Sequence, residues 1–363
     1  MRLMDAAIEN TEQSQETTEA PSVVSGSELL GVHRHAEALL AELARMPDGD
    51  LVGGIVLNAL KLLRDRTNRG DIKLIHRSMR ELRYALKIFA PYHGVRKVSV
   101  FGSARTPGSH EDYRQALLFS RRMANSGWMV ITGAGNGIMG AGHDGAGADP
   151  SFGLAIRLPF EQATNIHIAG DPKLIHFNYF FTRKLMFVRT SHAVALFPGG
   201  FGTLDEAFEV LTLVQTGKSV PMPIVLVDRP GGDYWRSWQE YVERQLAGRG
   251  FIGSGDLRLY KITDDVDEAI QEIRGFYRNY HSVRYVGDEL ALRLRRPPTE
   301  QQLEEITASF GDILLRGGFR VSGPLPAEQD EPALVDLPRL VFAFNKRDHD
   351  RLRMLIDHLN GLP

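Results

Sequence analysis

The stretch Pro198-Gly199-Gly200-Phe201-Gly202-Thr203-Leu204-Asp205-Glu206 gathers three glycines, a hydroxyl and two carboxylates in one short run. It follows the apolar run Ala193-Val194-Ala195-Leu196-Phe197, so it reads as strand, glycine turn, then helix. Glycines let a backbone turn sharply and come close to a ligand. A helix opening near Gly202-Thr203 turns unpaired N–H groups and the positive end of its dipole toward an anion. A phosphate monoester fits that description, with Gly199, Gly200, Gly202 and Thr203 as its cradle. Asp205 and Glu206 then fall in the first helical turn. They either complement the dipole or, in the case of Glu206, face the ligand just beyond the phosphate.

Upstream, Arg183-Lys184 sits in a helical pattern over residues 177–191, among Phe180, Phe181, Leu185, Met186 and Phe187. A charged pair can be a solvated face, but an arginine in apolar company usually has an anionic partner. Two further strand ends carry small residues. Gly102-Ser103 closes the first strand, and Gly133-Ala134-Gly135-Asn136-Gly137 follows the second. Gly135 to Gly140 matches G-x-G-x-x-G, with Glu161 about 20 residues beyond, as in a dinucleotide fingerprint. The match follows the second strand and not the first, so the run is read as a second phosphate or ribose contact in preference to an NAD site, and Ser103, Gly133, Gly135, Lys184 and Asp205 are taken as further substrate-binding residues. No G-x-x-x-x-G-K-[ST], H-E-x-x-H or G-x-S-x-G occurs. His33 and His35 are read as ordinary histidines, and no metal site and no cofactor are expected.

These turns need a scaffold. Short apolar runs at 98–101, 128–132, 152–158, 193–197 and 223–227 alternate with helical patterns. Near-continuous apolar strands of that kind belong to a doubly wound, Rossmann-like α/β fold with a parallel sheet covered on both faces. In such a sheet ligands bind beyond the strands' C-terminal ends. Residues 1–27 are polar and read as a disordered tail, 28–92 as a helical lead-in, and 93–274 as the nucleotide-binding catalytic domain. Residues 275–363 read as a small α+β domain, with strands at 289–295, 319–321 and 340–344 and helices at 299–315 and 348–359.

Composition narrows the class. The chain has 363 residues, a formal net charge of −2 and no cysteine. Disulfides, thiolate metal sites and cysteine nucleophiles are therefore excluded. Neutral charge gives no pull toward nucleic acid or an anionic membrane, and Lys346–Arg351 reads as a solvated helix start. No signal peptide or spanning run is visible, so a cytoplasmic location is expected.

From Val98 to about Val227 the chain resembles the LOG (Lonely Guy) family, often labelled lysine-decarboxylase-like, in a long, bacterial-type form. The resemblance rests on P-G-G-x-G-T-x-x-E at Pro198 to Glu206, on Arg183-Lys184, and on the turns at Gly102-Ser103 and Gly133 to Gly140. Thr182 stands where short members usually have an acidic residue before the Arg-Lys pair. The resemblance implies hydrolysis of nucleoside 5′-monophosphates, AMP-like substrates, to free base and ribose 5-phosphate. It implies Arg183 and Glu206 as catalytic residues, the glycine turn as phosphate loop, and a homodimer or higher homo-oligomer. It leaves the base open. Two other readings are a nucleotide-like ligand or molybdopterin-cofactor carrier, which need not keep both Arg183 and Glu206, and an NAD-linked oxidoreductase built on Gly135 to Gly140.

Overall fold

The computed structural model describes residues 26–158, 164–328 and 330–363. Residues 1–25 of the N-terminal stretch, and Glu161, lie outside these. The chain divides into two compact units between Arg83 and Tyr84. The first is helical: α1 (Gly26–Leu43), α2 (Gly49–Arg64) and most of α3 (Arg69–Phe89). Asp48 in the left-handed region separates α1 from α2. Asn68 accepts from the Asp71 backbone N–H at 3.0 Å at the start of α3. No described helix is long and apolar enough to cross a membrane.

In the second unit the chain alternates β1 (Lys97–Phe101), α4 (Glu111–Asn125), β2 (Met129–Thr132), α5 (Ile138–Ala146), β3 (Ser151–Ile156), β4 (Leu174–Phe177) and α6 (Phe180–Thr190). It continues with β5 (Ala193–Leu196), α7 (Phe201–Gln215), β6 (Ile224–Val227), α8 (Tyr234–Tyr241), β7 (Lys261–Thr263) and α9 (Val266–Phe276). The seven strands form one sheet in the order β4-β3-β2-β1-β5-β6-β7, every pairing parallel. Every residue of β1, β2, β5 and β6 is buried, as a sheet covered on both faces requires. The doubly wound α/β architecture read from the apolar runs is the one observed. The chain winds outward from β1 to β4, then returns to pair β5 with β1, so the winding reverses there. That is the switch point at which such sheets open a crevice.

Several elements differ from the sequence reading. α5 lies inside the glycine-rich run, which reads as a loop by composition. Its glycines permit close packing: a Cβ on Gly145 would collide with the Leu117 carbonyl of α4, and one on Gly142 would meet the Thr132 side chain at 2.9 Å. β4 and β7 are too short to show a period. α8 ends at Tyr241, where the chain continues as a π-helical turn, Val242–Ala247, instead of a regular α-helix.

The rest of the chain is β8 (Tyr280–Val286), β9 (Glu289–Leu294), α10 (Glu300–Phe310), β10 (Leu314–Ser322), β11 (Arg339–Phe344) and α11 (His349–Gly361). The strands make a four-stranded antiparallel sheet in the order β10-β11-β9-β8. The helix expected over Thr299 to Leu315 stops at Phe310, because Gly311–Ile313 turns the chain and Leu314 pairs with Phe344. Thr299 and Gln302 form a capping box at its start. One apolar cluster runs through both sheets, including Val98, Phe197, Ile273, Leu292, Phe342 and Leu355. α9 and α11 supply its middle layer. Asn360 locks them to β8, accepting from the Asn279 and Tyr280 N–H groups at 2.8 Å each and donating to the Phe276 carbonyl at 2.6 Å.

A charged knot lies within the smaller sheet. The Glu328 carboxylate, fully buried, is 2.6 Å from Arg293 Nη2 and 3.2 Å from Arg339 Nε. Removing one partner of such a cluster strands buried charge at a cost of about 3–5 kcal/mol. The exposed pair Arg284–Asp330, at 2.6 Å, is worth under about 1 kcal/mol. Glu328→Ala is therefore expected to lose most of that larger figure in urea unfolding, and Asp330→Ala to stay near the parent. Equal midpoints for the two variants would contradict this account of the knot.

Candidate active site

The C-terminal ends of β1, β2 and β5 meet in a tied knot of backbone. The Ser103 N–H donates to the Pro198 carbonyl at 3.0 Å, and the Ile138 N–H donates to the Ser103 carbonyl at 3.0 Å. Tyr234 Oη donates to the Gly199 carbonyl at 2.6 Å. Gly199 is demanded by this packing, since a Cβ there would collide with the Thr203 hydroxyl and meet Ser103 N at 2.9 Å. Gly137 is demanded twice, by φ +62° and by the Ser103 carbonyl a Cβ would strike. Gly200 and Gly202 differ, because a Cβ at either would meet nothing within 4 Å. The space beside them is open cleft.

That cleft has a volume of about 890 Å³. It is lined by Ser103, Gly133, Gly135, Arg183, Gly199, Gly200, Gly202, Thr203, Asp205 and Glu206, along with apolar Met139, Ile156, Leu158 and Phe180. All but one of the residues singled out from the sequence therefore share one cavity. The exception is Lys184, which is not among the lining residues. Its ammonium lies 2.9 Å from Asp205 Oδ2, 2.5 Å from Glu209 Oε2 and 3.9 Å from Glu206 Oε2. Burial alone would lower the Lys184 pKa, but hydrogen bonds to Glu209 and Asp205 outweigh it and hold the ammonium charged.

The helix carrying Glu206 opens one residue earlier than the motif suggests. Gly200 is its N-cap and Phe201 its first residue. The first turn holds no acidic residue, and Glu206 falls in the second turn. The reading in which Asp205 and Glu206 merely complement the helix dipole loses its geometric basis, because that interaction fades beyond the first turn. The Glu206 side chain is buried, with 6% of the residue exposed. Burial raises its pKa from 4.5 to about 7, against the opposing pull of Lys184 and Arg183. Arg183 donates from Nε to the Leu154 carbonyl at 2.8 Å and lies over the Phe187 ring at 5.2 Å. Burial lowers its pKa while Glu206 raises it, and a guanidinium stays charged throughout the physiological range. Glu206 thus acts on Arg183 through charge, and both residues line the cleft.

The Gly133–Gly135 turn sets where that guanidinium sits, since a Cβ on Gly133 would collide with Arg183 Nη2 and meet Met139 Sδ at 2.7 Å. The next residue, Ala134, has φ +63°, a left-handed conformation that costs a non-glycine residue of order 1 kcal/mol. Two residues invisible to motif reading hold it. Asn165 donates its backbone N–H to the Ala134 carbonyl at 2.9 Å and its Nδ2 to the Gly135 carbonyl at 2.9 Å. Buried His143 touches the Asn165 amide through Nδ1, and through Nε2 the Thr132 hydroxyl at 3.1 Å and the Phe152 carbonyl at 3.0 Å. Burial lowers the His143 pKa, so the ring is neutral there. Asn165 joins residues about 30 positions apart and gave no local signal. Glu209 was legible in principle, since it sits one helical turn beyond Asp205 on the same face.

At the head of α5 the Ile138 N–H is bonded to the Ser103 carbonyl, and at the head of α7 a Cβ on Gly200 or Gly202 would meet nothing within 4 Å. Among the described residues no group of three or more His, Asp or Glu side chains is arranged to hold a metal ion.

Comparison with known proteins agrees in location. Residues 136–273 match the family described as possible lysine decarboxylase. A cytokinin riboside 5′-monophosphate phosphoribohydrolase of Rhodococcoides fascians is 30% identical over 190 residues, a match covering 49% of this chain and 89% of that protein. A pyrimidine/purine nucleotide 5′-monophosphate nucleosidase of Escherichia coli (strain K12) is 28% identical over 182 residues, which is 46% of this chain. The chain spans only 39% of that relative's length. Among solved structures, a molybdenum cofactor carrier protein from Chlamydomonas reinhardtii is 18% identical with a TM-score of 0.35, covering 50% of this chain and 96% of that one. The family match, residues 136–273, includes Arg183, the glycine turn and Glu206, and nearly the whole Rhodococcoides protein is matched at 30% identity, so the chain belongs to the LOG family, the possible lysine decarboxylases.

Proposed function

We propose that this chain hydrolyses the N-glycosidic bond of nucleoside 5′-monophosphates, releasing the free base and ribose 5-phosphate. The observation that carries the reading is one cleft lined by two unlike features. A helix start beside Gly200 and Gly202 suits a phosphate. On the same helix, a buried carboxylate has a pKa of about 7 and feels the charge of a guanidinium that also lines the cleft.

Cleavage of such a bond builds positive charge on the ribose and negative charge on the departing base. In the proposed reaction water attacks C1′ and the C1′–N bond breaks, its electron pair leaving with the base. Glu206 takes the proton from the water and stabilises the ribosyl cation. Arg183 offsets the charge on the base, which then accepts the proton. The phosphate grip supplies binding energy remote from the bond and fixes the sugar against Glu206. Lys184 does not touch substrate here. It holds Asp205, Glu206 and Glu209 in one charged cluster and keeps part of the Glu206 population ionised at neutral pH. Met139, Ile156, Leu158 and Phe180 offer the base an apolar wall with few hydrogen-bonding side chains, which suits a broad choice of bases.

Glu206→Gln is expected to abolish release of adenine from AMP by about 10³-fold or more. In the parent, kcat/KM should fall on the acid side with an apparent pKa near 7, because the carboxylate is the working form. Near-parental turnover in the variant sinks the assignment. The same variant has a second readout, independent of activity. Folding raises the Glu206 pKa from 4.5 to about 7, so the folded state binds the extra proton between those values. Stability therefore falls as pH rises through that window and stays lowered above it. Glu206→Gln should be roughly 3 kcal/mol more stable than the parent at pH 8 and close to it at pH 4.5. No pH-dependent difference between the two proteins would show that the carboxylate is not held as described. Gly202→Ala tests the phosphate end. Its Cβ meets no protein atom within 4 Å, and alanine favours a helix by about 0.5–1 kcal/mol. The variant is expected to melt no earlier than the parent yet to show a raised KM for AMP, with adenosine a poor substrate for both. An unchanged KM for AMP would place the phosphate elsewhere.

A further inference from the structure

The peptide that leads into the head of α7 is held by a hydroxyl from outside the cleft. The Thr203 and Leu204 N–H groups donate back to the Gly200 carbonyl at 3.0 and 3.1 Å, so the N–H groups left to a ligand there are those of Gly200, Phe201 and Gly202. The direction of the first is set by the peptide it belongs to. In a trans peptide the C=O and the N–H point opposite ways, and no described peptide is cis. Tyr234 Oη donates to the Gly199 carbonyl at 2.6 Å, so the Gly200 N–H points away from Tyr234. Gly199 and Gly200 line the cleft and Tyr234 does not. A peptide between two glycines turns over with little steric resistance. Turned over, this one would set a carbonyl oxygen against an anion in place of a donor.

We infer that Tyr234 is a positioning residue for the phosphate, its hydroxyl holding the Gly199–Gly200 peptide with the N–H turned to the ligand. The inference rests on the proposed seating of a phosphate at the head of α7. The tyrosine is itself fixed from the edge of the larger sheet. Asp228, after β6, accepts from the Arg229 N–H at 3.0 Å and from the Trp235 N–H at 3.1 Å. Asp264, after β7, accepts from the Gly231 N–H at 2.9 Å. The Tyr234 ring packs edge-on against Trp235, with centroids 4.8 Å apart. Burial raises the Tyr234 pKa, so the phenol keeps its proton and donates at neutral pH. The preceding peptide is pinned by backbone alone, with the Ser103 N–H on the Pro198 carbonyl. Of the two ties, the one from Tyr234 is the one a side-chain change can cut.

Full-length Tyr234→Phe keeps the ring and removes only the hydroxyl. Its Kd for ribose 5-phosphate, measured by calorimetry, is expected to rise about tenfold, the worth of one hydrogen bond to a charged group. KM for AMP should rise by a similar factor with kcat within about threefold of the parent, and turnover of adenosine should not change. Tyr234→Ala should weaken ribose 5-phosphate as much as Tyr234→Phe does, because the hydroxyl acts and not the ring. A Tyr234→Phe chain that melts earlier yet binds ribose 5-phosphate as the parent does has lost only stability, and overturns the inference. Equal losses with AMP and adenosine overturn it too, as does weakened binding in Tyr234→Ala alone or a parent without affinity for ribose 5-phosphate. If the parent releases no base from AMP, the proposed hydrolysis fails, while the calorimetric difference between parent and Tyr234→Phe still upholds the role of Tyr234.

Discussion

The site depends on keeping one carboxylate, Glu206, out of water. A carboxyl group removed from solvent favours its neutral form, and burial carries Glu206 to a pKa of about 7. It would go further without two cations. Both come from α6, where Arg183 and Lys184 are adjacent and so leave the helix in different directions. Arg183 reaches the cleft and anchors on the Leu154 carbonyl of β3. Lys184 turns to Asp205 and Glu209 on α7. One helix thus supplies a cation that can meet a ligand and another that secures the helix bearing the carboxylate. Buried Thr182, in the preceding turn, donates to the Tyr179 carbonyl at 2.9 Å and helps fix where α6 begins.

That arrangement works only because three strand ends converge. The reversal of winding between β1 and β5 brings Ser103 against Pro198 and Gly199, and α5 is then tied to the same point through Ile138. The glycines divide by what they are for. Gly133, Gly137 and Gly199 are required by neighbouring protein atoms, while Gly200 and Gly202 leave room the protein itself does not use. A ligand that fills this room is the simplest reason for glycine there. The smaller sheet reaches the same helix from behind. Gly217, with φ +66°, follows the end of α7, and a Cβ on it would collide with the His349 ring at the start of α11.

Much of this was legible in the residues themselves. Ala193–Phe197 is apolar throughout and Val98–Phe101 is apolar but for Ser99, which marks buried parallel strands, and Glu111–Asn125 carries its helix boundaries in its own sequence. The site was legible where one turn gathers several groups, as from Gly199 to Glu206. It was illegible where a contact crosses the fold. Asn165 secures the Gly133–Gly135 turn through bonds that no spacing announces, and Lys184 looked like a ligand group until its three carboxylate neighbours were in view. α5 was hidden by its own glycines, whose value lies in close packing on α4 and not in helix propensity.

The central claim is that one cleft takes the phosphate at the head of α7 and the glycosidic carbon at Glu206. A crystal structure of the full chain soaked with ribose 5-phosphate tests it most directly. The account predicts the phosphate on the N–H groups at Gly200 to Gly202, with C1′ against Glu206 and Arg183 beside it. A phosphate seated on the Gly135 to Gly140 turn, or a ribose pointing its C1′ away from Glu206, would contradict it.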